Sequence, residues 1–184
     1  APARRTVLRP GGKRKRGVER KLAMEESTRQ LLEGLREAMR AERHGHTFYK
    51  TAAMNTQDPT GKEVFEQLAR EELEHFEFLA AHYKSVLEKG QLSSAKLTGH
   101  AEVDPDSPIF SEQLRERIKD AHFEMSAIAI AVQLELNAIN RYRELAAKAA
   151  LPEVKQFFEE LANWESSHYK AFLAQQQSLQ DDYW

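Results

Sequence analysis

Apolar residues recur at intervals of three and four positions through most of the chain after about residue 25. In the first such stretch Leu31, Leu35 and Met39 share one stripe of a helix, and Glu42 and Tyr49 fall on or near the same stripe. The helix-favouring residues Ala, Leu, Glu, Lys, Arg and Gln predominate, and runs of β-branched residues are almost absent. The pattern predicts an all-α protein.

Turn-forming residues divide this region into long helices. Pro59 and Pro152 each suit the start of a helix, and Gly90 suits the end of one. Four long helices are therefore predicted, over about residues 25–54, 60–89, 123–149 and 152–177.

The linker between the second and third of these helices is too long for a tight hairpin. It has about 20 residues, includes Ser93, Ser94, Gly99 and the turn formers from Asp104 to Pro108, and precedes a short helix expected near residues 111–120. A linker of this length suits a connection that runs along a bundle. We predict a four-helix bundle with a long crossover between its second and third helices.

Charge is distributed unevenly along the chain. Residues 1–21 carry nine basic side chains and one acidic one, a net charge of +8, which leaves −10 for the remainder of a chain whose total is −2. With Pro10, Gly11 and Gly12 and no helical period, residues 1–24 are predicted to be a disordered tail. Such a tail could bind nucleic acid or an anionic surface. It lacks interleaved aromatic residues, so a solvated tail is favoured. The predicted bundle then covers residues 25–178, followed by a C-terminal tail at 179–184.

Features that the sequence lacks exclude several classes of site and of protein. The chain has no cysteine, which excludes disulfides and thiolate metal sites on it. The longest apolar stretch, around Ala127 to Leu134, is much shorter than the roughly 18 to 20 residues of a membrane span. No secretory segment follows the basic N-terminus, so a cytoplasmic location is expected.

The sequence repeats itself at an offset of 93 residues. The offset relates two helical hairpins as copies of one unit. It aligns these pairs without a gap: Glu42 and Glu135, Tyr49 and Tyr142, Pro59 and Pro152, Phe65 and Phe158, Leu68 and Leu161, Glu72 and Glu165, His75 and His168. Each copy thus has a Glu, a Tyr seven residues later, and a Glu-x-x-His motif that starts thirty residues after the first Glu.

This spacing predicts a pair of metal ions inside the bundle. Residues three apart lie on one helical face, so the Glu and His of each Glu-x-x-His motif can reach the same point. Thirty residues allow the chain to rise along one helix and return to the same level along the next. Four carboxylates and two imidazoles then meet at one depth, the ligand set of di-iron and di-manganese bundles. The predicted ligands are Glu42, Glu72, His75, Glu135, Glu165 and His168.

Electrostatics favour metal binding over a purely structural role for these residues. Four buried carboxylates without cations are strongly unfavourable, whereas two divalent ions neutralise them. Oxygen and nitrogen ligands suit iron and manganese, and a structural zinc site would not use six ligands. We predict two iron ions per chain, with manganese or a mixed pair as alternatives.

Several neighbouring residues are assigned other roles. The hydroxyls of Tyr49 and Tyr142 either pack in the core or hydrogen-bond to the ligand carboxylates. Glu71 is adjacent to Glu72 but out of register with the repeat, so it is expected to face solvent or to support a ligand. Trp164 is expected to pack rather than to relay electrons. The histidines outside the repeat are expected at the surface or in packing, namely His44, His46, His82, His100 and His122.

Over about residues 25–178 the sequence resembles the rubrerythrin branch of the ferritin-like superfamily. The matching motifs are Glu42 with Tyr49, Glu72-x-x-His75, Glu135 with Tyr142, and Glu165-x-x-His168. The resemblance implies a ferritin-like bundle in which Glu72 and Glu165 bridge two irons. It implies further that Glu42 and Glu135 are terminal ligands and that each His caps one iron.

Two departures from that family pattern affect the expected chemistry. Rubrerythrins carry a cysteine-rich rubredoxin domain as electron donor, which this chain lacks, so a separate donor protein is expected. They also carry a further Glu one turn after the third-helix ligand, where this chain has Ala138. The exchange of that Glu with a His between redox states is therefore not expected here.

The resemblance implies an oxidoreductase of oxidative-stress defence that reduces hydrogen peroxide or dioxygen, and we expect a homodimer. The first alternative is iron handling, in which Fe(II) is oxidised and passed on or stored. The second is an interaction module whose metal site is structural and whose basic tail binds a polyanion.

Overall fold

The computed structural model describes residues 11–96, 108–116 and 121–183. These residues form five helices and, within those ranges, no strands. The helices are α1 Gly11–Asn55, α2 Pro59–Lys89, α3 Glu112–Glu116, α4 His122–Lys148 and α5 Pro152–Tyr183. The prediction of an all-α bundle of four long helices is confirmed. None of the helices in the described ranges is both long enough and apolar enough to cross a membrane.

The α1–α2 turn is fixed by specific capping residues. Asp58 is the N-cap of α2, and its carboxylate accepts a hydrogen bond from the N–H of Gly61 at 2.8 Å. Pro59 begins the helix, where its missing N–H is no loss. At the other end Gly90 adopts φ 71°, and its N–H bonds to the carbonyl of Val86, which ends α2. α1 and α2 therefore pack as an antiparallel hairpin, as do α4 and α5.

Contacts at the two ends of the bundle show how the hairpins are connected. Thr56 in the α1–α2 turn donates to the Glu124 carboxylate at the start of α4 at 2.7 Å, and the N–H of Ser111 donates to Asp58 at 3.2 Å. At the opposite end Gly90 and Leu151 line one groove. α4 therefore runs parallel to α2, and the connection between them crosses the length of the bundle. The predicted linker includes Gly99 and the turn formers Asp104 to Ser107, which lie outside the described residues.

The terminal boundaries differ from those expected. Residues 11–24 belong to α1 rather than to a disordered tail, because their Lys, Arg, Leu, Ala, Met and Glu residues favour helix. An i,i+4 ion pair, Lys21 with Glu25 at 3.9 Å, lies at this junction. Residues 1–10 lie outside the described residues. At the C-terminus α5 continues to Tyr183, since Leu179 is buried and extends the apolar face of the helix.

The apolar core consists of two clusters stacked along the bundle. One contains Tyr49 and Phe65, and the other contains Tyr142 and Phe158. The rings of each pair are stacked in nearly the same way, with centroids 6.3 Å apart in the first and 6.5 Å apart in the second. The offset of 93 residues in the sequence is thus also a structural repeat. Between the two clusters lies a layer of polar side chains.

Candidate metal centre

The six predicted ligands come together in this polar layer. α1 and α4 each supply one Glu, and α2 and α5 each supply one Glu-x-x-His motif. None of the six is more than 4 % exposed, and they are Glu42, Glu72, His75, Glu135, Glu165 and His168. Each hairpin turn therefore returns its Glu-x-x-His motif to the level of its first Glu, as the thirty-residue spacing predicts.

The ligand atoms form two groups that share one carboxylate. Atoms of Glu42, Glu72 and His75 lie within 4.8 Å of one another, and so do atoms of Glu72, Glu135, Glu165 and His168. Donor groups this close and this buried could hold a metal in each group. Glu72 belongs to both, which is the placement that a bridging carboxylate requires.

Glu165 lies between the two imidazoles. Its Oε1 is 3.3 Å from Nδ1 of His75, and its Oε2 is 3.5 Å from Nδ1 of His168. Nδ1 of His75 is also 3.2 Å from Oε2 of Glu42. Glu165 therefore has one oxygen directed towards each half of the site.

In the metal-free protein, bound protons compensate part of the negative charge of this cluster. Burial and the neighbouring carboxylate Glu42 raise the pKa of Glu72 well above its usual value, and burial with Glu165 does the same to the pKa of Glu135. Burial alone would lower the pKa of His75, but the carboxylates of Glu165 and Glu42 outweigh it and raise that pKa to about 10. Burial would also lower the pKa of His168, but the surrounding carboxylates outweigh it and raise this pKa well above its usual value. Divalent ions would displace these protons.

The donor atoms fit a pair of cations. Among the described residues, neither oxygen of Glu165 nor Nδ1 of His168 has a partner aligned for a hydrogen bond. Buried polar atoms left in this state are costly unless a ligand satisfies them. Two divalent ions would engage these atoms and neutralise the four carboxylates, so the residues present suit iron or manganese.

The two tyrosines hydrogen-bond to carboxylates across the bundle. The hydroxyl of Tyr49 donates to Glu135, and the hydroxyl of Tyr142 donates to Glu42. Each tyrosine thus reaches a carboxylate of the other hairpin rather than of its own helix. Burial, with the nearby carboxylates Glu135 and Glu42 respectively, raises both phenol pKa values. The hydroxyls therefore stay protonated and act as hydrogen-bond donors.

Glu71 supports the site, one of the two alternatives that the sequence left open. It is 7 % exposed, and its Oε2 lies 3.0 Å from Nε2 of His168. Its Oε1 accepts a hydrogen bond from the amide of Gln67 at 2.8 Å. Gln67 precedes Glu71 by four residues and therefore lies one turn away on the same helical face. This spacing was the one signal in the sequence that Glu71 has a polar partner within its helix.

An opening in the bundle wall leads from the surface to the carboxylates. A cavity of about 670 Å³ between α1 and α4 is lined by buried Glu42, Glu72 and Glu135 and by exposed Arg40 and His44 at its mouth. Gly45 and Ala138 also line it, and they occupy equivalent positions in the repeat. Both residues are small, so neither fills the cavity with a long side chain.

The absence of a side chain at Gly45 leaves room for the carboxylate of Glu72. A Cβ added at Gly45 would lie 2.7 Å from Oε2 of Glu72 and 2.9 Å from its Cδ, so the carboxylate would have to move. We expect Gly45→Ala to keep or increase helix content, because Ala favours helix over Gly by about 1 kcal/mol. It should nevertheless weaken metal binding by about tenfold or more, the usual cost of a disturbed ligand environment.

Gly34→Ala is the matched control for this prediction. It lies on the same helix, and its added Cβ would meet apolar side chains and none of the six clustered residues, the nearest atom being Leu145 Cδ2 at 2.8 Å. Metal affinity is measured by anaerobic titration, and helix content by circular dichroism. Equal metal affinity for the wild type and Gly45→Ala would contradict the role assigned to Gly45.

The remaining histidines are placed outside the ligand groups. Nδ1 of His46 is 2.6 Å from the carbonyl of Ala69. His82 is buried against Phe78 and Phe157, and its Nδ1 accepts the N–H of Ser93 at 3.2 Å. His44 and His122 are exposed, and His100 lies outside the described residues. Trp164 packs between the rings of His75 and Phe78, as expected.

Comparison with known proteins matches one family to most of the chain. The family model for rubrerythrin matches residues 33–130 and 126–183, which include most of both hairpins and all six clustered residues. Searches of curated proteins and of solved structures found no significant match.

Proposed function

Because the chain belongs to the rubrerythrin family, we propose that it is a non-haem di-iron oxidoreductase that reduces hydrogen peroxide or dioxygen. The observation that carries the proposal is the buried group of four carboxylates and two imidazoles, reached by a cavity from the surface. Electrons would come from a donor outside these 184 residues, since they include no cysteine for a rubredoxin-type centre.

The residues of the site have distinct parts in this proposal. A bound pair of ferrous ions would supply the two electrons that reduce one peroxide molecule, with two protons, to two water molecules. Glu72 and Glu165 would supply ligand oxygens to both metals, and His75 and His168 would each bind one, because Glu72 belongs to both groups and Glu165 has one oxygen near each imidazole. Tyr49 and Tyr142 hold the carboxylates of Glu135 and Glu42 in place. Fixed ligands need little rearrangement during turnover.

The cavity favours a small neutral oxidant as the substrate. Its lining includes Glu37 and Glu144, but Nη1 of Arg141 lies 3.4 Å from Glu37 and 3.6 Å from Glu144. Arg40 adds another positive charge to the lining. Apart from the carboxylates of the site itself, the charged residues of the lining therefore carry no excess of negative charge, which favours neutral substrates over repeated entry of Fe(II). Peroxide and oxygen are neutral and small enough to enter this cavity of about 670 Å³.

Anaerobic loading followed by rapid mixing tests the proposal. We expect about two irons per chain by metal analysis, and second-order consumption of peroxide or oxygen by the diferrous protein. Oxidation should stop after one equivalent of bound iron pairs unless an electron donor is added. Continued oxidation of added Fe(II) well beyond two ions per chain would instead indicate iron handling. Binding of one ion or none would refute the di-iron assignment.

A further inference from the structure

The carboxylate of Glu71 lies behind one of the two clustered imidazoles. Its Oε2 is 3.0 Å from Nε2 of His168, while Nδ1 of the same ring faces Glu165 at 3.5 Å and Glu135 at 3.9 Å. Gln67 donates to the other oxygen of Glu71 at 2.8 Å. Both oxygens of Glu71 are therefore engaged, and the ring of His168 is held from the side opposite the ligand cluster.

This arrangement determines how His168 can bind a metal. An imidazole that coordinates through Nδ1 carries its proton on Nε2. A carboxylate that accepts this N–H fixes the tautomer and the ring orientation, and it makes the coordinating nitrogen a stronger donor. Glu71 is such a carboxylate, because its Oε2 lies within hydrogen-bond distance of Nε2 of His168. It reaches the ring from another helix, since Glu71 lies on α2 and His168 lies on α5.

The sequence repeat is broken at this position. The residue equivalent to Glu71 in the other hairpin is Trp164, whose ring stacks on His75 with centroids 5.9 Å apart. An indole N–H can donate a hydrogen bond but cannot accept one. The two hairpins, which match in all six clustered residues, thus place chemically different groups beside their partner imidazoles.

We propose that Glu71 is a positioning residue that holds His168 as an Nδ1 ligand and thereby strengthens binding at the metal position formed with Glu135 and Glu165. The proposal rests on the metal site of the proposed function but not on its reaction. It implies that the two metal positions differ in affinity, even though the ligands themselves are related by the repeat.

The test is an anaerobic titration with Co(II), whose visible absorption reports both stoichiometry and coordination. We expect Glu71→Ala to weaken one of the two binding steps by about 10- to 100-fold and to alter its absorption bands. Glu71→Gln retains an oxygen that can accept the N–H but loses the charge, so its effect should be smaller. The other binding step should stay within about twofold of the wild type in both variants, the specificity expected of a contact made to one ligand.

Glu74→Gln is the matched control, because Glu74 is an exposed carboxylate on the same helix. It should leave both binding steps unchanged. Two unaltered steps in Glu71→Ala and Glu71→Gln, or equal weakening of both steps, would overturn the proposal. Circular dichroism verifies folding, and the isosteric Gln variant decides the matter if the Ala variant does not fold. A selective loss of one step in a protein that reacts with neither peroxide nor oxygen would uphold the role of Glu71 and refute the proposed reaction.

Discussion

Metal-free protein should become steadily less stable as the pH rises from about 6.5 towards 10, whereas metal-loaded protein should not. The pKa of His75 rises from 6.5 in the unfolded chain to about 10 in the folded one, so the folded state holds more protons in this interval. Its contribution to stability is complete below the unfolded pKa and is lost as the pH passes the folded one. Each extra proton bound by the folded state costs about 1.4 kcal/mol of stability per pH unit.

Other groups in the cluster act in the same direction. His168 also has a raised pKa, and Glu72 and Glu135 have raised pKa values whose stabilising effect is lost as the pH rises above their unfolded value of 4.5. The pKa of Glu165 is lowered in the folded protein, so its contribution to stability is lost only when the pH falls below the unfolded value of 4.5 towards that lowered pKa. Alkaline conditions therefore leave buried negative charge uncompensated in the metal-free protein.

Thermal unfolding of metal-free and Mn(II)-loaded protein across this pH range measures the effect. Metal that binds only the folded state should add about 2.7 kcal/mol at a hundredfold excess over its dissociation constant. The separation between the two melting temperatures should widen with pH, since protons compete less for the ligands. Parallel melting curves at all pH values, after verified metal removal, would mean that the carboxylates are solvated and that the site does not depend on charge compensation.

Glu165→Gln should abolish tight binding at both metal positions while leaving the helical bundle folded. Glu165 has one oxygen directed towards each half of the site, so a single substitution affects both. Gln has nearly the same shape, but it carries no charge and would present one amide donor to a cation. We expect a loss of at least about 100-fold in affinity at each position, more than the loss from a residue that only supports a ligand.

The same substitution should also destabilise the metal-free protein at neutral pH. Two protonated imidazoles would lose the carboxylate between them, and removal of one partner of a buried ion pair costs about 3–5 kcal/mol. Glu160→Gln is the control, because Glu160 is an exposed carboxylate five residues earlier on α5. Metal affinity is measured by titration, and stability by chemical unfolding. Retention of one tight site in Glu165→Gln would show that Glu165 serves a single metal.

The ligand set could be predicted from the sequence because it is repeated in register. Thirty residues from Glu42 to Glu72 correspond to a fixed rise and return in a helical hairpin, so the spacing alone sets the level at which the ligands meet. The boundaries were less predictable. In the described part of the chain α1 already includes residues 11–24, where helix-favouring Lys, Arg, Leu and Ala residues are a better guide than the net charge from which a disordered tail was predicted.

The contacts that support the ligands depend on how the hairpins face one another. Tyr49 and Tyr142 each reach across to the opposite hairpin, which intrahelical spacing cannot reveal. The function of Glu71 likewise depends on the packing of α2 against His168 of α5. Sequence periodicity gives the face of a helix on which a side chain lies, but it does not give the partner across the interface.

The crossed tyrosine bonds also bear on how a protein of this architecture could arise. Tyr49 donates to Glu135 and Tyr142 donates to Glu42. Each tyrosine also stacks on the equivalent phenylalanine of its own hairpin with similar geometry. Each hairpin lacks what the other provides, so neither has a complete site alone, whereas two identical hairpins assembled face to face would have every ligand and every supporting hydroxyl. An ancestral peptide of one hairpin could thus have been functional as a symmetric pair before duplication and fusion. Glu71 and Trp164, which occupy equivalent positions in the repeat, are one place where the two hairpins now differ.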